Sequence, residues 1–127
     1  MAPIDSCVFC DIIRGERDAT VIQESETHLC FLDAHPVTEG HALVVPKHHV
    51  ETLTDIDWEQ TARVLRSAHE AIVDRYDPDG TNIGINNGRA AGQTIDHLHW
   101  HVIPRYEDDI EDPTGGVRGV IPEKRVY

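Results

Sequence analysis

The spacing of apolar positions changes several times along the chain, and each change marks an element. Phe9, Ile12 and Ile13 share one face of a short helix over 7–14, with Ser6 as its cap and Gly15 as its stop. Stretches 20–24 and 28–33 read as short strands around a polar turn at 24–27, and the apolar, β-prone run His41-Ala-Leu-Val-Val-Pro46 predicts a third. The clearest helix covers 57–76. Asp57 with Gln60 resembles a capping box, and Trp58, Thr61 or Ala62, Leu65, Ala68, Ile72 and Tyr76 follow at helical spacing.

Asp77-Pro78-Asp79-Gly80 ends that helix in a turn. A fourth strand is expected over 82–87, a loop over 88–92, and a last strand from Thr94 or Ile95 to Ile103. Strands in runs around one long helix predict an α+β fold, an antiparallel five-stranded meander with a short helix before it. After Pro104 the acidic stretch 107–113 reads as exposed loop. No repeat or linker divides the chain, so 1–127 is expected to be one domain, with its core at about 7–105 and a tail over 106–127.

Composition narrows the class. At 127 residues and 39% hydrophobic the chain can bury one core, and no apolar run approaches the ~18 residues of a membrane span. No signal-peptide pattern opens it, and cytosol is the expected compartment. Eleven basic residues against 23 acidic ones give a net charge of −12, which argues against a nucleic-acid binder. Only Lys47 and Lys124 are lysines, against nine arginines. A solvated surface is the plain explanation; adaptation to a salt-rich cytosol is the preferred one, since screening there suppresses carboxylate repulsion. Three cysteines, two of them in Cys7-x-x-Cys10, suit metal or redox chemistry better than a disulfide framework.

The chemistry concentrates in His97-Leu98-His99-Trp100-His101-Val102-Ile103. On a strand His97, His99 and His101 share one face, at backbone intervals of about 6.5–7 Å, and Leu98, Trp100 and Val102 the other. Such a row serves a three-histidine metal site, nucleophilic catalysis, or merely a wet strand face. The loop just before it, Asn86-Asn87-Gly88-Arg89-Ala90-Ala91-Gly92-Gln93-Thr94, offers glycines and hydroxyl and amide donors for an anion. An anion pocket beside imidazoles points to attack by histidine on phosphorus. Arg89 is a candidate cation there, or a plain surface arginine.

The histidine segment resembles the H-φ-H-φ-H-φ-φ signature of the histidine-triad (HIT) family of nucleotide hydrolases and transferases. The likeness runs from Cys7 to about Arg105 and includes Cys-Val-Phe-Cys-Asp-Ile-Ile, Phe31-Leu32-Asp33, Gly40-His41-Ala42-Leu43-Val44-Val45-Pro46-Lys47 and Gly92-Gln93-Thr94. The resemblance implies His99 as the nucleophile toward the α-phosphorus, His101 beside the same phosphate, and His41 as a buttress. It implies Gly92, Gln93 and Thr94 as the phosphate loop, with backbone N–H groups and the Thr94 hydroxyl facing the charge. Asn86 falls on the phosphate or leaving-group side and Asp33 on the ribose, with Ala34 behind it. Phe9, Ile12 and Phe31 fall at the base. No magnesium cluster is evident, and the resemblance implies a purine nucleotide as the substrate class. Homodimerisation by joined sheets is implied as well.

Some members bind structural zinc through such a cysteine pair with two histidines, here Cys7, Cys10, His49 and His97, a closed Cys₂His₂ set. A redox pair is the rival, weakened by the absence of a thioredoxin-like βαβ pattern. Cys30 reads as a buried small residue. Asn86 and the cysteine pair resemble the Hint-like branch, which cleaves nucleoside phosphoramidates and acyl-nucleotides, rather than the Fhit-like dinucleoside polyphosphate hydrolases. A nucleotide-binding module with little turnover is the alternative of a different class. The tail from Gly115 to Lys124 departs from the tryptophan-bearing terminus of well-known Hint proteins.

Salt adaptation has a direct check. The thermal unfolding midpoint is expected to rise with molar KCl, and a midpoint indifferent to salt returns the acidity to ordinary surface solvation.

Overall fold

A computed structural model of the chain describes residues 6–126. Five strands, β1 (Val21–Glu24), β2 (His28–Leu32), β3 (Ala42–Pro46), β4 (Gly80–Ile85) and β5 (Trp100–Arg105), form one sheet in the order β1-β2-β3-β5-β4, antiparallel throughout. The helices are α1 (Val8–Ile13) and α2 (Trp58–Tyr76). The first three strands follow one another as a meander. α2 then carries the chain past the place of β5 to the outer edge, and β5 returns as the inner arm of a hairpin with β4. No helix among the described residues is long and apolar enough to cross a membrane.

The pleat sorts the core into two layers. Leu29, Phe31, Leu43 and Val45 pack with Cys7, Phe9 and Cys10 of the α1 region. Cys30, Ala42, Val44 and Val102 pack with Ala68 and Ile72 of α2 on the other face. All five residues of β3 are buried, because this strand has a helix on each side. Its unbroken apolar run therefore marks the centre of the sheet, whereas β4, at the edge, carries only half-buried and exposed positions.

α2 begins where expected: the Asp57 carboxylate accepts the Gln60 N–H at 3.0 Å, and Asp77 closes the helix in a left-handed conformation. Two positions of its predicted apolar face are corrected. Trp58 is 56% exposed, resting edge-on against Trp100, and Ala62 is exposed, while Thr61, Ala68 and Ile72 are buried. For α1 the cap is Cys7 rather than Ser6. The Cys7 sulfur accepts the Cys10 N–H at 3.3 Å, and Ser6 lies one residue outside the helix.

The last strand is shorter than predicted, starting at Trp100 instead of Thr94 or Ile95. In the register that pairs Val44 with Trp100, Leu98 would oppose Pro46, which has no N–H to give. The Leu98 N–H turns instead to the Val50 carbonyl at 2.7 Å. The fourth strand shifts toward its N-terminus for the same reason: Ile85 pairs with Trp100, the first residue β5 offers, so Asn86 and Asn87 fall outside.

Gly40 precedes β3 at φ +88, and a Cβ there would lie 2.7 Å from the Tyr76 ring at the end of α2. Gly40→Ala is expected to cost about 1–3 kcal/mol through overpacking and a strained backbone. Urea unfolding measures it; a loss below about 0.5 kcal/mol would show that Tyr76 moves aside freely.

Candidate active site

Three histidines, two of them buried and the third half-buried, lie in a row, and each has one ring nitrogen committed to a neighbour. His97 Nε2 faces the Pro46 carbonyl at 2.8 Å, and His99 Nδ1 faces the His97 carbonyl at 2.8 Å. A carbonyl only accepts, so both of these nitrogens carry the proton, and the other nitrogen of each neutral ring holds a bare lone pair. For His99 the bare atom is Nε2, on a ring that lines a cavity.

The third ring is set through a relay. His41 Nδ1 accepts the Val37 N–H at 3.1 Å, so its proton sits on Nε2, which donates to His101 Nδ1 at 2.9 Å. His101 consequently carries its own proton on Nε2. A lone pair and an N–H donor thus stand on adjacent rings whose centres are 5.3 Å apart. Asp33 lies 3.6 Å from His41 Nε2 and accepts the His35 N–H through its other oxygen at 2.9 Å. Burial holds His41 and His101 below the usual imidazole pKa, with Asp33 pulling the other way in both. Asp33, His41 and His101 are close enough to hold a metal. In the neutral ring, however, His41 Nε2 bears the proton and donates it to the hydrogen bond with His101, leaving the Asp33 carboxylate 3.6 Å away.

The cavity beside this row measures about 950 Å³. Phe9, Ile12, Phe31 and Leu43 form an apolar side, and Asp33, Ala34, Asn86, Gly92, Thr94, His99 and His101 also line it. Gln93 is not on it. Buried, it braces the loop: its Oε1 accepts the Gly88 N–H at 2.8 Å, and its Nε2 donates to the carbonyls of Glu51 (2.7 Å) and Ile95 (3.0 Å).

The N–H groups of Gly92 and Gln93 were expected to face an anion, but the loop's own turn uses both. They donate to Arg89 O at 2.9 Å and Gly88 O at 3.1 Å. Thr94 is the loop residue that keeps a free hydroxyl at the cavity among the described residues. Arg89 lies outside the lining. The cation that reaches the cavity is Arg17, with Asp18 and His35 also in the lining. Sequence pattern carries no signal for these residues. They arrive because the Leu32 N–H binds Thr20 O at 2.9 Å, laying the segment before β1 alongside Asp33.

Behind the row lies a second constellation. Cys7, Cys10, His49 and His97 are all buried, with one donor atom from each within 4.8 Å of the others. His97 Nδ1 stands 3.3 Å from the Cys7 sulfur and 3.5 Å from that of Cys10; His49 Nδ1 stands 3.3 Å from Cys10. A tetrahedral zinc with ordinary sulfur and nitrogen bond lengths needs S···N edges of about 3.5 Å. The donors fit in type as well, because the bond from His97 Nε2 to Pro46 leaves Nδ1 bare for a metal. Burial pushes His97 down to about 4, keeping it neutral as a ligand must be. Cys30 stands apart, its thiol pushed up to about 12 by burial and unreactive for that reason.

These shifts set a pH dependence. In metal-free protein burial is the largest cause that holds His28, His41, His97 and His101 below the ordinary imidazole value of about 6.5. Between their folded values and 6.5 the unfolded chain binds more protons. Stability is therefore full above about pH 6.5 and falls as pH drops toward 4. The urea midpoint should be lower at pH 5 than at pH 7.5; equal midpoints would mean that these rings are not held neutral.

The HIT domain family matches residues 14–108. The chain is 42% identical over 108 residues to an adenylylsulfatase of Arabidopsis thaliana, covering 83% of this chain and 55% of that one. It is 36% identical over 104 residues to an adenosine 5′-monophosphoramidase of Schizosaccharomyces pombe, covering 82% and 77%. Among solved structures, a HIT family protein of Bacillus subtilis superposes with a TM-score of 0.76 at 39% identity, covering 83% and 77%. A zinc-bound histidine triad family protein of Mycobacterium smegmatis does so with a TM-score of 0.74 at 42% identity, covering 84% and 80%.

Proposed function

The chain belongs to the HIT family, and from that premise we propose that it hydrolyses nucleoside 5′-phosphoramidates or acyl-nucleotides through a covalent nucleotidyl-histidine. The observation that carries this reading is the tie from His99 Nδ1 to the His97 carbonyl, which leaves Nε2 bare on a ring at the cavity. His99 Nε2 attacks the α-phosphorus, forming one P–N bond as the bond to the leaving amine or acyl oxygen breaks. His101, protonated on Nε2, donates to the phosphoryl oxygen or the departing atom, and His41 holds it in that tautomer. Water then breaks the histidine–phosphorus bond, yielding nucleoside monophosphate and restoring the free imidazole.

The remaining roles follow the lining. Thr94 and Asn86 face the phosphate and its leaving group, Asp33 the ribose hydroxyls with Ala34 behind it, and Phe9, Ile12 and Phe31 a purine base. Gly92 shapes the loop and Gln93 braces it. Zinc on Cys7, Cys10, His49 and His97 would serve a structural role, with all four positions filled by protein. Support comes from the donor set and from the zinc-bound relative. A homodimer in a salt-rich cytosol completes the reading. The Hint-like branch is favoured over dinucleoside polyphosphate hydrolysis by Asn86 and the cysteine pair, and by the phosphoramidase name of the Schizosaccharomyces relative.

Turnover of adenosine 5′-phosphoramidate against diadenosine tetraphosphate, in high KCl, tests the proposal. The phosphoramidate should be cleaved faster, and His99→Ala should lower the rate by about 10³-fold or more. Faster cleavage of the dinucleotide would move the protein to the other branch. Binding of AMP without turnover of either substrate would make it a nucleotide-binding module.

A further inference from the structure

We propose that occupancy of the Cys7–Cys10–His49–His97 cluster by zinc is thermodynamically coupled to binding of the nucleotide's base, with Phe9 as the link. The proposal rests on the nucleotide and zinc assignments above and adds an energetic connection between them.

The connection is drawn by α1. This helix has six residues, too few to be stable unaided, so its position depends on what it is fastened to. Its cap residue Cys7 and its own Cys10 both reach His97 Nδ1, and Cys10 also reaches His49. Phe9 lies between those two cysteines in sequence, and its ring forms part of the cavity's apolar side. The same ring meets His97 edge-on at 5.8 Å, His99 at 5.0 Å and Phe31 at 5.7 Å between centres. A base seated against Phe9 thus rests on a helix fastened both by apolar packing on the sheet and by the cluster.

Without metal the apolar packing remains, but the cluster's share of the fastening is reduced to contacts between thiols and imidazoles, and a thiol is a weak donor. With zinc it becomes four metal–ligand bonds. The opposite end of the nucleotide is secured differently. Thr94 belongs to a loop braced by Gln93, and His101 sits in the β3–β5 ladder, neither depending on α1. Zinc should accordingly change affinity at the base end far more than at the phosphate end. Linkage requires the converse: the nucleotide must tighten zinc by the same factor.

The test uses two probes, AMP and ribose 5-phosphate, titrated calorimetrically into zinc-loaded and EDTA-stripped protein. AMP should bind at least tenfold more weakly to stripped protein, ribose 5-phosphate less than threefold more weakly, and saturating AMP should raise zinc affinity by the factor found for AMP. In Phe9→Ala, AMP affinity should be reduced and no longer respond to zinc. Equal AMP affinities with and without zinc would overturn the coupling, as would parallel losses for both probes or collapse of the far-ultraviolet circular dichroism on stripping. Metal analysis and AMP binding to loaded protein report separately on the two underlying assignments. A chain that takes up no zinc, or binds no AMP when loaded, defeats the assignment concerned and the coupling with it.

Discussion

The carbonyl of His97 is the pivot of the site. It accepts the Nδ1 proton of His99 and so leaves the lone pair of that ring on Nε2. The residue that supplies it is itself held twice through its ring, by Pro46 on one nitrogen and by the two cysteines on the other. Because Leu98 bonds to Val50 rather than to β3, this segment has left the ladder before Trp100. Ladder hydrogen bonds therefore do not fix the His97 peptide. The Leu98 N–H bond to Val50 holds that peptide unit, and the His97 ring ties the same residue to the cysteines behind the cavity.

The charge of the chain makes the design of the cavity more demanding. A net charge of −12 repels an anionic substrate at long range, although salt shortens that range to less than ~10 Å above 0.1 M. Inside the cavity, Arg17 is the lining residue with a permanent positive charge, against Asp18 and Asp33. Stabilisation of developing charge thus falls to neutral dipoles: an imidazole N–H held in place by a relay, and a threonine hydroxyl. Neutral donors aimed beforehand need little reorganisation when charge develops, which is where such groups are most effective. Burial serves the same end by disfavouring the imidazolium forms of His41 and His101.

Much of the fold was legible because its signals are local. The Asp57 cap, the turn at Asp77 and the apolar run of β3 each depend on a few adjacent residues, and each lies where pattern puts it. The errors at element ends share one cause. The start of β5, the end of β4 and the cap of α1 are decided by partners remote in sequence: Pro46 and Val50 for the first, β5 itself for the second, and the ring of His97 for the third. Arg17 and Asp18 were invisible for the same reason, since only the pairing of Thr20 with Leu32 brings them to the cavity. The phosphate loop was legible as a loop. Its N–H accounting was not, because a glycine-rich turn can spend those donors on itself, and here Gly92 and Gln93 do.

The three histidines show why a motif identifies a family more readily than it assigns roles. As a sequence they are equivalent, alternating with apolar residues. In the fold each has its second nitrogen engaged by something different. His97 gives its Nε2 proton to a carbonyl and keeps Nδ1 for the cysteine cluster. His99 gives its Nδ1 proton to a carbonyl and keeps Nε2 bare. His101 accepts a hydrogen bond at Nδ1 from His41 and so holds its own proton on Nε2. In the proposed reading, ligand, nucleophile and donor are thus three tautomeric outcomes of one side chain, and the partner of the other nitrogen chooses between them. Moving any of those partners would change the chemistry of a ring without altering that ring. The Val37 N–H is the extreme case. A main-chain donor at the far end of the relay sets the His41 tautomer, and through it the proton that His101 offers to the cavity.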